Sequence, residues 1–171
     1  ETRLDKVETR LEGVETEVKG VKDKLDKVET GVKVLERRFN GLEGALYHGF
    51  EQLGRFTGVS LEELVRSIMT KSMRDAGELR EDKAITSVTI DGEEIDVFCD
   101  DPLIVGEVTS YAESVEEVEK LMRKVKMVRD RYGREPARKL LIISSVKTDV
   151  ADDIAAKARE NGVEIIMGKK V

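Results

Sequence analysis

Two acidic residues stand inside segments that are otherwise apolar enough to be buried strands. Glu107 lies within the run 103–109, and Asp96 lies near the end of the preceding run, 94–99. A buried carboxylate without a partner is costly, so Glu107 must be protonated, paired with a cation or bound to a metal. If the two runs pair as antiparallel strands, Asp96 and Glu107 come close together. Carboxylate oxygens converging at the end of a sheet are suited to Mg²⁺ or Mn²⁺.

Further oxygen ligands are available near this pair. The backbone carbonyl of Val108 adjoins Glu107. In the preceding helix, Glu62 lies about 60° from the centre of the apolar face, whereas Glu63 points away from it. Asp96, Glu107 and Val108 are therefore the candidate metal ligands, with Glu62 as a further acid. The alternative is that Glu107 pairs with a basic residue for structural reasons and Asp96 is solvated.

Apolar periodicity and turn residues predict the elements that would position these side chains. After a helix over 61–76, the predicted elements are strands over 85–90, 94–99 and 103–109, a helix over 114–132, a strand over 139–145, a helix over 149–161 and a strand over 163–167. Ser60, Ser114 and Asp149 are candidate helix caps. A meander followed by strand–helix–strand units predicts an α/β domain with a mixed sheet and helices on its faces.

The first third of the chain has a different pattern, in which apolar residues recur at alternating spacings of three and four. With Leu4 at position a and Val7 at position d, the stripe extends over six heptads to Leu46. A stripe this narrow predicts a coiled coil. Residues at g and at the following e have opposite charges, which favours a parallel homo-oligomer of two to four copies. The heptads fail at Gly49, so we predict domains 1–50 and 51–171, joined around 47–59.

The order helix with Glu, β-hairpin with Asp, strand with Glu, helix and strand resembles the core of the PD-(D/E)XK nuclease superfamily, to which Holliday-junction resolvases and many restriction enzymes belong. The chain is similar to an archaeal and cyanobacterial branch in which a coiled coil precedes the nuclease-like domain. The stretches that carry this similarity are Leu53–Gly58, Glu62–Arg66, Ile95–Val97 and Val105–Thr109. The resemblance implies a restriction-endonuclease-like fold, with an αβββαβ core plus an extra αβ unit, and a DNA endonuclease that uses Mg²⁺ or Mn²⁺.

The resemblance also implies roles for individual residues. Asp96 and Glu107 would hold the metal, and Glu62 would assist. The metal would activate a water for attack on a phosphodiester. The lysine expected two residues after Glu107 is Thr109, whose hydroxyl cannot supply a positive charge. In some members of the superfamily that lysine lies on the following helix.

Two lysines of the following helix are candidates for the missing charge. Relative to the apolar stripe of that helix, Lys120 points nearly opposite the core, whereas Lys124 lies nearer the boundary. We therefore favour Lys124 as the catalytic lysine. If neither lysine reaches the site, the domain is a metal-binding or DNA-binding relic without activity.

Charge gives opposing indications about a nucleic-acid partner. Residues 57–171 hold 19 basic and 24 acidic residues, yet the segment 120–139 holds nine basic and two acidic residues. Such a basic stripe is suited to contact phosphates. The DNA-binding candidates are Lys120, Arg123, Lys126 and Arg131. The alternative is a solvated basic helix face.

Composition excludes several classes of protein. A single Cys and a single His exclude a disulfide framework and a zinc centre. No apolar run approaches the roughly 20 residues of a membrane span and no signal peptide is visible, so we expect a cytoplasmic protein. Abundant Lys and Glu with few amides suggest a thermophile. Because the sequence begins with Glu1, we expect a segment upstream of it.

Two other functions remain open. Thr109 and the acidity of the second domain are compatible with a catalytically inactive nuclease fold that serves as a structural or DNA-binding oligomer. The final strand–helix–strand run is compatible with a Rossmann-like ligand-binding domain, although the sequence has no glycine-rich phosphate loop.

Overall fold

The computed structural model describes residues 2–171, apart from the side chains at positions 5, 9, 36–43, 45 and 50–57. Those side chains include Phe39 and Leu42 of the predicted heptads and residues 53–57 of the nuclease-like stretch, so these parts of the predictions lie outside the described residues. Contacts divide the chain into two compact units, Glu1–Phe39 and Asn40–Val171. This division falls earlier than the predicted junction at residue 50.

One long helix, α1, spans Arg3–Thr57. In the first unit its apolar a and d side chains from Leu4 to Leu35 are exposed, as expected for a seam that its own unit does not cover. The helix continues through Gly49, where the heptads fail. It ends at Thr57, and Gly58 follows in the left-handed conformation that commonly terminates a helix.

The second unit is built on a five-stranded mixed sheet. Its helices are α2 (Leu61–Asp75), α3 (Glu116–Tyr132) and α4 (Ala151–Glu160), and its strands are β1 (Thr86–Ile90), β2 (Glu93–Asp100), β3 (Leu103–Ala112), β4 (Arg138–Val146) and β5 (Glu164–Lys170). The strands lie in the order β1-β2-β3-β4-β5. The pairs β1–β2 and β2–β3 are antiparallel, whereas β3–β4 and β4–β5 are parallel. The predicted α/β class and mixed sheet are therefore confirmed.

Apolar residues on the two faces of the sheet form two separate clusters. One cluster contains the buried residues of α3 and α4 together with Val105 of β3. The other contains the buried residues of α2 and α1 together with Ile104 and Val108 of β3. Successive residues of a strand point to opposite faces, so Glu107 shares the face of Val105, which α3 covers.

The last turns of α1 belong to the second unit and pack closely against the sheet. A Cβ atom added to Gly44 would lie 1.9 Å from the carbonyl oxygen of Met167 in β5. Tyr47 is buried, and the Nδ1 atom of His48 lies 3.2 Å from the hydroxyl of Ser145. These contacts offset the helix penalty of about 1 kcal/mol for each glycine. Gly44 therefore allows this close approach, whereas a Cβ atom at Gly49 would meet nothing within 4 Å.

The structure confirms one of the three predicted helix caps and corrects the other two, since Val115 and Val150 stand at the N-caps of α3 and α4. The hydroxyl of Ser60 accepts a hydrogen bond from the backbone N–H of Glu63. The hydroxyl of Ser114 accepts from the N–H of Glu116, although α3 begins only at that residue. The prediction that Asp149 caps α4 is wrong, because α4 begins after Val150 and Asp149 pairs with Lys147.

Within the described part of the chain, no helix is both long enough and apolar enough to cross a membrane.

Candidate active site

A β-bulge in β2 positions the first acid of the site. Along β1 two steps separate Val88 from Thr86, whereas three steps separate their partners Ile95 and Phe98 on β2. The extra residue places Ile95 and Phe98 in the same apolar cluster. Bulges commonly reorient a side chain beside a functional site. Here the irregularity lies between Ile95 and Phe98, in the segment that contains Asp96.

Where the backbone pairing of β2 with β3 ends, the side chain of Asp96 hydrogen-bonds to β3 in place of the backbone. The paired residues run from Asp100↔Leu103 to Val97↔Gly106, so one further step would bring Asp96 opposite Glu107. Instead, a carboxylate oxygen of Asp96 accepts the backbone N–H of Val108 at 3.0 Å. In a strand the N–H and C=O of one residue point the same way, so the carbonyl of Val108 also faces this side.

The environment of Asp96 favours its neutral form. Burial raises the pKa of the half-buried carboxyl group, and the charges of Glu107 and Glu62 raise it further. The N–H of Val108 and the charge of Lys124 oppose that rise without cancelling it. On the far side of the strand, the guanidinium of Arg66 donates to the carbonyl oxygen of Asp96 at 3.0 Å.

Glu107 is the second acid, and only 2% of its side chain is exposed. One carboxylate oxygen accepts from the ammonium group of Lys124, and the other pairs with the ammonium group of Lys120. The preceding Gly106 lets the strands approach, since a Cβ atom there would lie 3.0 Å from the Cβ of Val97. The predicted burial of Glu107 is confirmed, and two cations neutralise it.

The two lysines lie one turn apart on α3 and differ in exposure. The side chain of Lys124 is 6% exposed, whereas that of Lys120 is 45% exposed. Burial alone would lower the pKa of Lys120. The hydrogen bond from Lys120 to Glu107 and the charges of Glu107, Glu117 and Asp96 outweigh that effect and raise the pKa. The ammonium group of Lys120 is therefore charged at neutral pH.

The expectation that Lys120 points away from the core is wrong for its ammonium group. The direction of a Cα–Cβ bond does not determine where the end of a long methylene stem lies. The ammonium group of Lys120 thus reaches the same carboxylate as that of Lys124. Thr109 of β3 supplies no positive charge, and α3 supplies two in its place, the ammonium groups of Lys120 and Lys124.

The remaining predicted site residues lie at varying distances from the acid pair. Glu62 is half-buried on α2, close enough for its charge to act on Asp96, whereas Glu63 is exposed. Thr109 donates its hydroxyl to the carbonyl oxygen of Tyr111 at 3.3 Å. Glu62 therefore borders the site, and Thr109 uses its side chain in a local contact.

Sequence reasoning missed two charged neighbours of the site. Arg66 lies in the nuclease-like stretch Glu62–Arg66, but its contact with Asp96 depends on how α2 packs on the sheet. Glu117 of α3 is the other neighbour, and its charge acts on Lys120. One of its carboxylate oxygens is buried and accepts no hydrogen bond from any described residue. Its position three residues before Lys120 is the signal that would have indicated it.

The predicted DNA-binding residues do not share one face of α3. Lys120 lies in the acid site, whereas Arg123 and Lys126 line a shallow groove between α3 and α4 together with Lys157. Positions 120 and 126 are about 120° apart around an α-helix, which explains the separation. Arg131 is exposed near the end of the helix.

The side chains fit a divalent cation only after one of them moves. Asp96, Glu107 and the carbonyl of Val108 are oxygen ligands of the kind that Mg²⁺ and Mn²⁺ accept. Both oxygens of Glu107 are occupied by lysines, and no three His, Cys, Asp or Glu side chains among the described residues form a metal-binding group. The partly exposed Lys120 can leave its oxygen, whereas the buried Lys124 cannot do so without losing its partner.

Comparison of the chain with protein-family models, with curated proteins and with solved structures gives no match. The resemblance to the PD-(D/E)XK superfamily thus depends on the motif residues of the sequence alone.

Proposed function

We propose that the unit Asn40–Val171 has a restriction-endonuclease-like fold and hydrolyses phosphodiester bonds of DNA with Mg²⁺ or Mn²⁺. The observation that carries this proposal is the convergence of two lysine ammonium groups on Glu107, beside Asp96. A PD-(D/E)XK site combines two acids with a lysine. In this chain Thr109 stands where the motif has its lysine. Lys120 and Lys124 of α3 offer the positive charge instead.

The arrangement of charge supports a functional site over a purely structural ion pair. Lys124 alone would neutralise the single charge of Glu107. Lys120 is additional, and its side chain is partly open to solvent. An apolar pair of the same volume would stabilise a fold as well as a buried ion pair does. Clusters of partly buried acids and cations with shifted pKa values are typical of functional sites.

Each residue has a distinct part in the proposed reaction. Asp96, Glu107 and the carbonyl of Val108 would hold the cation, which would supply a water of lowered pKa and offset phosphate charge. The buried ammonium of Lys124 pairs with the carboxylate of Glu107 and orients it. It also provides a fixed positive charge beside the phosphate, where charge accumulates in the transition state. Glu62 borders the site from α2.

Lys120 occupies an oxygen that the metal would need. In the absence of metal, its ammonium group brings one positive charge to the acid cluster, where a metal would bring two. When the cation binds to Glu107, repulsion would drive this ammonium towards solvent, where it can contact a substrate phosphate. This movement would make Lys120 both a competitor of the metal and a ligand of DNA.

The proposed DNA partner finds positive charge on both helices that border the site. Arg66 of α2 contacts the backbone of Asp96 and lines a groove with Lys71 and Arg74. Arg131 of α3 lies exposed beyond Lys120 and Lys124. We place the activity in the cytoplasm, which fits the free and buried Cys99.

One observation favours a second candidate, a nuclease fold without activity that binds DNA or serves as a structural oligomer. Both oxygens of Glu107 are already paired, and the described residues offer no group of three ligands for a metal. If Lys120 stays on Glu107, the site binds no cation.

Metal-dependent cleavage distinguishes these two functions. The full chain is incubated with branched, single-stranded and duplex DNA in Mg²⁺ or Mn²⁺, and metal binding is measured by calorimetry. We expect cleavage that is abolished by Asp96→Asn and unchanged by Asp153→Asn, the same change at an exposed position on α4. Metal binding and cleavage that are both absent in the folded wild-type protein would rule out the enzyme.

A further inference from the structure

The a/d seam of α1 in the first unit is a second candidate surface, independent of the acid site. The seam comprises ten residues between Leu4 and Leu35, and their exposed fractions run from 46% at Val32 to 70% at Leu4. Exposed apolar stripes of this length mark interaction surfaces in proteins. A stripe of a and d positions alone is the width that one or a few other helices cover.

The charges beside the seam identify its partner. Five g residues and the e residues that follow them five positions later have opposite signs: Arg3 with Glu8, Arg10 with Glu15, Glu17 with Lys22, Lys24 with Glu29, and Arg38 with Glu43. Parallel in-register helices bring g of one chain against e of the next. A second copy of the same helix therefore presents the complementary charge at each of these positions.

The same charges disfavour the antiparallel arrangement. Antiparallel helices bring e against e and g against g. Five of the six e residues are Glu, at positions 8, 15, 29, 36 and 43, and four of the six g residues are Arg or Lys, at positions 3, 10, 24 and 38. An antiparallel pair would therefore oppose mostly like charges along both edges of the seam, whereas a parallel pair opposes unlike ones.

We infer that the a/d seam of α1 is the surface through which two to four copies of this chain associate, parallel and in register. A helix of a different protein would need the same heptads with the same assignment of charge, mostly basic at g and mostly acidic at e. A second copy meets both requirements without any further component. This inference does not depend on the proposed nuclease activity.

Light scattering on the purified full chain, combined with two matched pairs of variants, tests the inference. We expect the wild type to have the mass of two to four chains. Val21→Asp, which puts a charge at a d position, should reduce the mass to that of one chain. Lys19→Asp introduces the same side chain at an outward b position two residues away and should leave the assembly intact.

Disulfide cross-linking tests the direction of the helices. Val7→Cys places thiols of neighbouring copies face to face only in a parallel in-register assembly, so mild oxidation should link the chains. Glu12→Cys, at an outward b position, should not cross-link, and the buried Cys99 does not interfere. A monomeric wild type, an assembly that persists in Val21→Asp, or assembled Val7→Cys chains that do not cross-link would overturn the inference.

Discussion

The two units of the chain use charge in opposite ways. In the first unit the described charged side chains are exposed and flank an apolar seam, and residues 1–39 hold 10 basic and 10 acidic residues, which balance. In the second unit the decisive charges are buried: Glu107 and Lys124 are 2% and 6% exposed. Exposed pairs contribute little energy each and act mainly on orientation. Buried charges depend strongly on their partners, because an unpaired one keeps its full desolvation cost.

The largest effect is expected from breaking the buried cluster. Glu107→Leu leaves the Lys124 ammonium buried without its carboxylate, which should lower the free energy of unfolding of the second unit by about 3–5 kcal/mol. Urea unfolding followed by tyrosine fluorescence measures this unit alone, because Tyr47, Tyr111 and Tyr132 all lie in it. A loss below about 1 kcal/mol would mean that Lys124 reaches solvent or another partner.

The next effect concerns the competition between Lys120 and a metal. Lys120→Met removes one ammonium from Glu107, so Mg²⁺ should bind about tenfold more tightly, which corresponds to roughly 1.4 kcal/mol. Lys126→Met, at a position about 120° away around α3, should leave the affinity unchanged. Calorimetry of the two variants provides the comparison. Equal or weaker binding in Lys120→Met would show that this lysine does not compete with the metal.

A smaller effect is expected for Asp96, with a defined dependence on pH. Because burial raises its pKa in the folded state, the folded protein binds the proton more readily than the unfolded chain does. The resulting stabilisation is complete below the unfolded pKa and is lost as the pH rises through the folded pKa. Asp96→Asn should therefore be more stable than the wild type at neutral pH, with a difference that shrinks in acid. Urea midpoints across the acid range measure it, and a constant difference would contradict the assignment.

The smallest effect is expected for a single pair beside the seam. Arg10→Glu opposes Glu15 of a neighbouring copy with a like charge and should weaken the assembly by only a few tenths of a kcal/mol. Adding Glu15→Arg should restore the loss if g faces e. Dissociation measured by dilution tests both steps. An effect of several kcal/mol would mean that this pair is buried, unlike the exposed pairs in this account.

Much of the fold was predictable because its signals are local. The seam from Leu4 follows from heptad spacing, and the strands around Glu107 follow from apolar runs between turn residues. The burial of Glu107 was predictable for the same reason, since one acid in an apolar run is a clear anomaly. The continuation of α1 past Gly49 was not predictable, because it depends on the close approach of Gly44 to β5.

The site was less predictable because it depends on long-range geometry. The bulge beside Asp96 arises from the pairing of β1 with β2, and no residue type in the sequence indicates it. The position of the Lys120 ammonium depends on a long flexible stem that a helical projection does not describe. Both features arise from tertiary packing, which determines where side-chain ends meet even when the elements themselves are correctly placed.

The central claim is that the buried charges serve phosphodiester cleavage and not stability. The most direct test compares metal-dependent DNA cleavage by the wild type with cleavage by the double variant Glu107→Leu, Lys124→Met, which replaces the buried ion pair with apolar side chains. Such a replacement is commonly neutral or stabilising. We therefore predict a folded variant, with an unfolding midpoint near that of the wild type, that cleaves no DNA. Equal cleavage by both proteins, or none by either with any metal, would contradict the account.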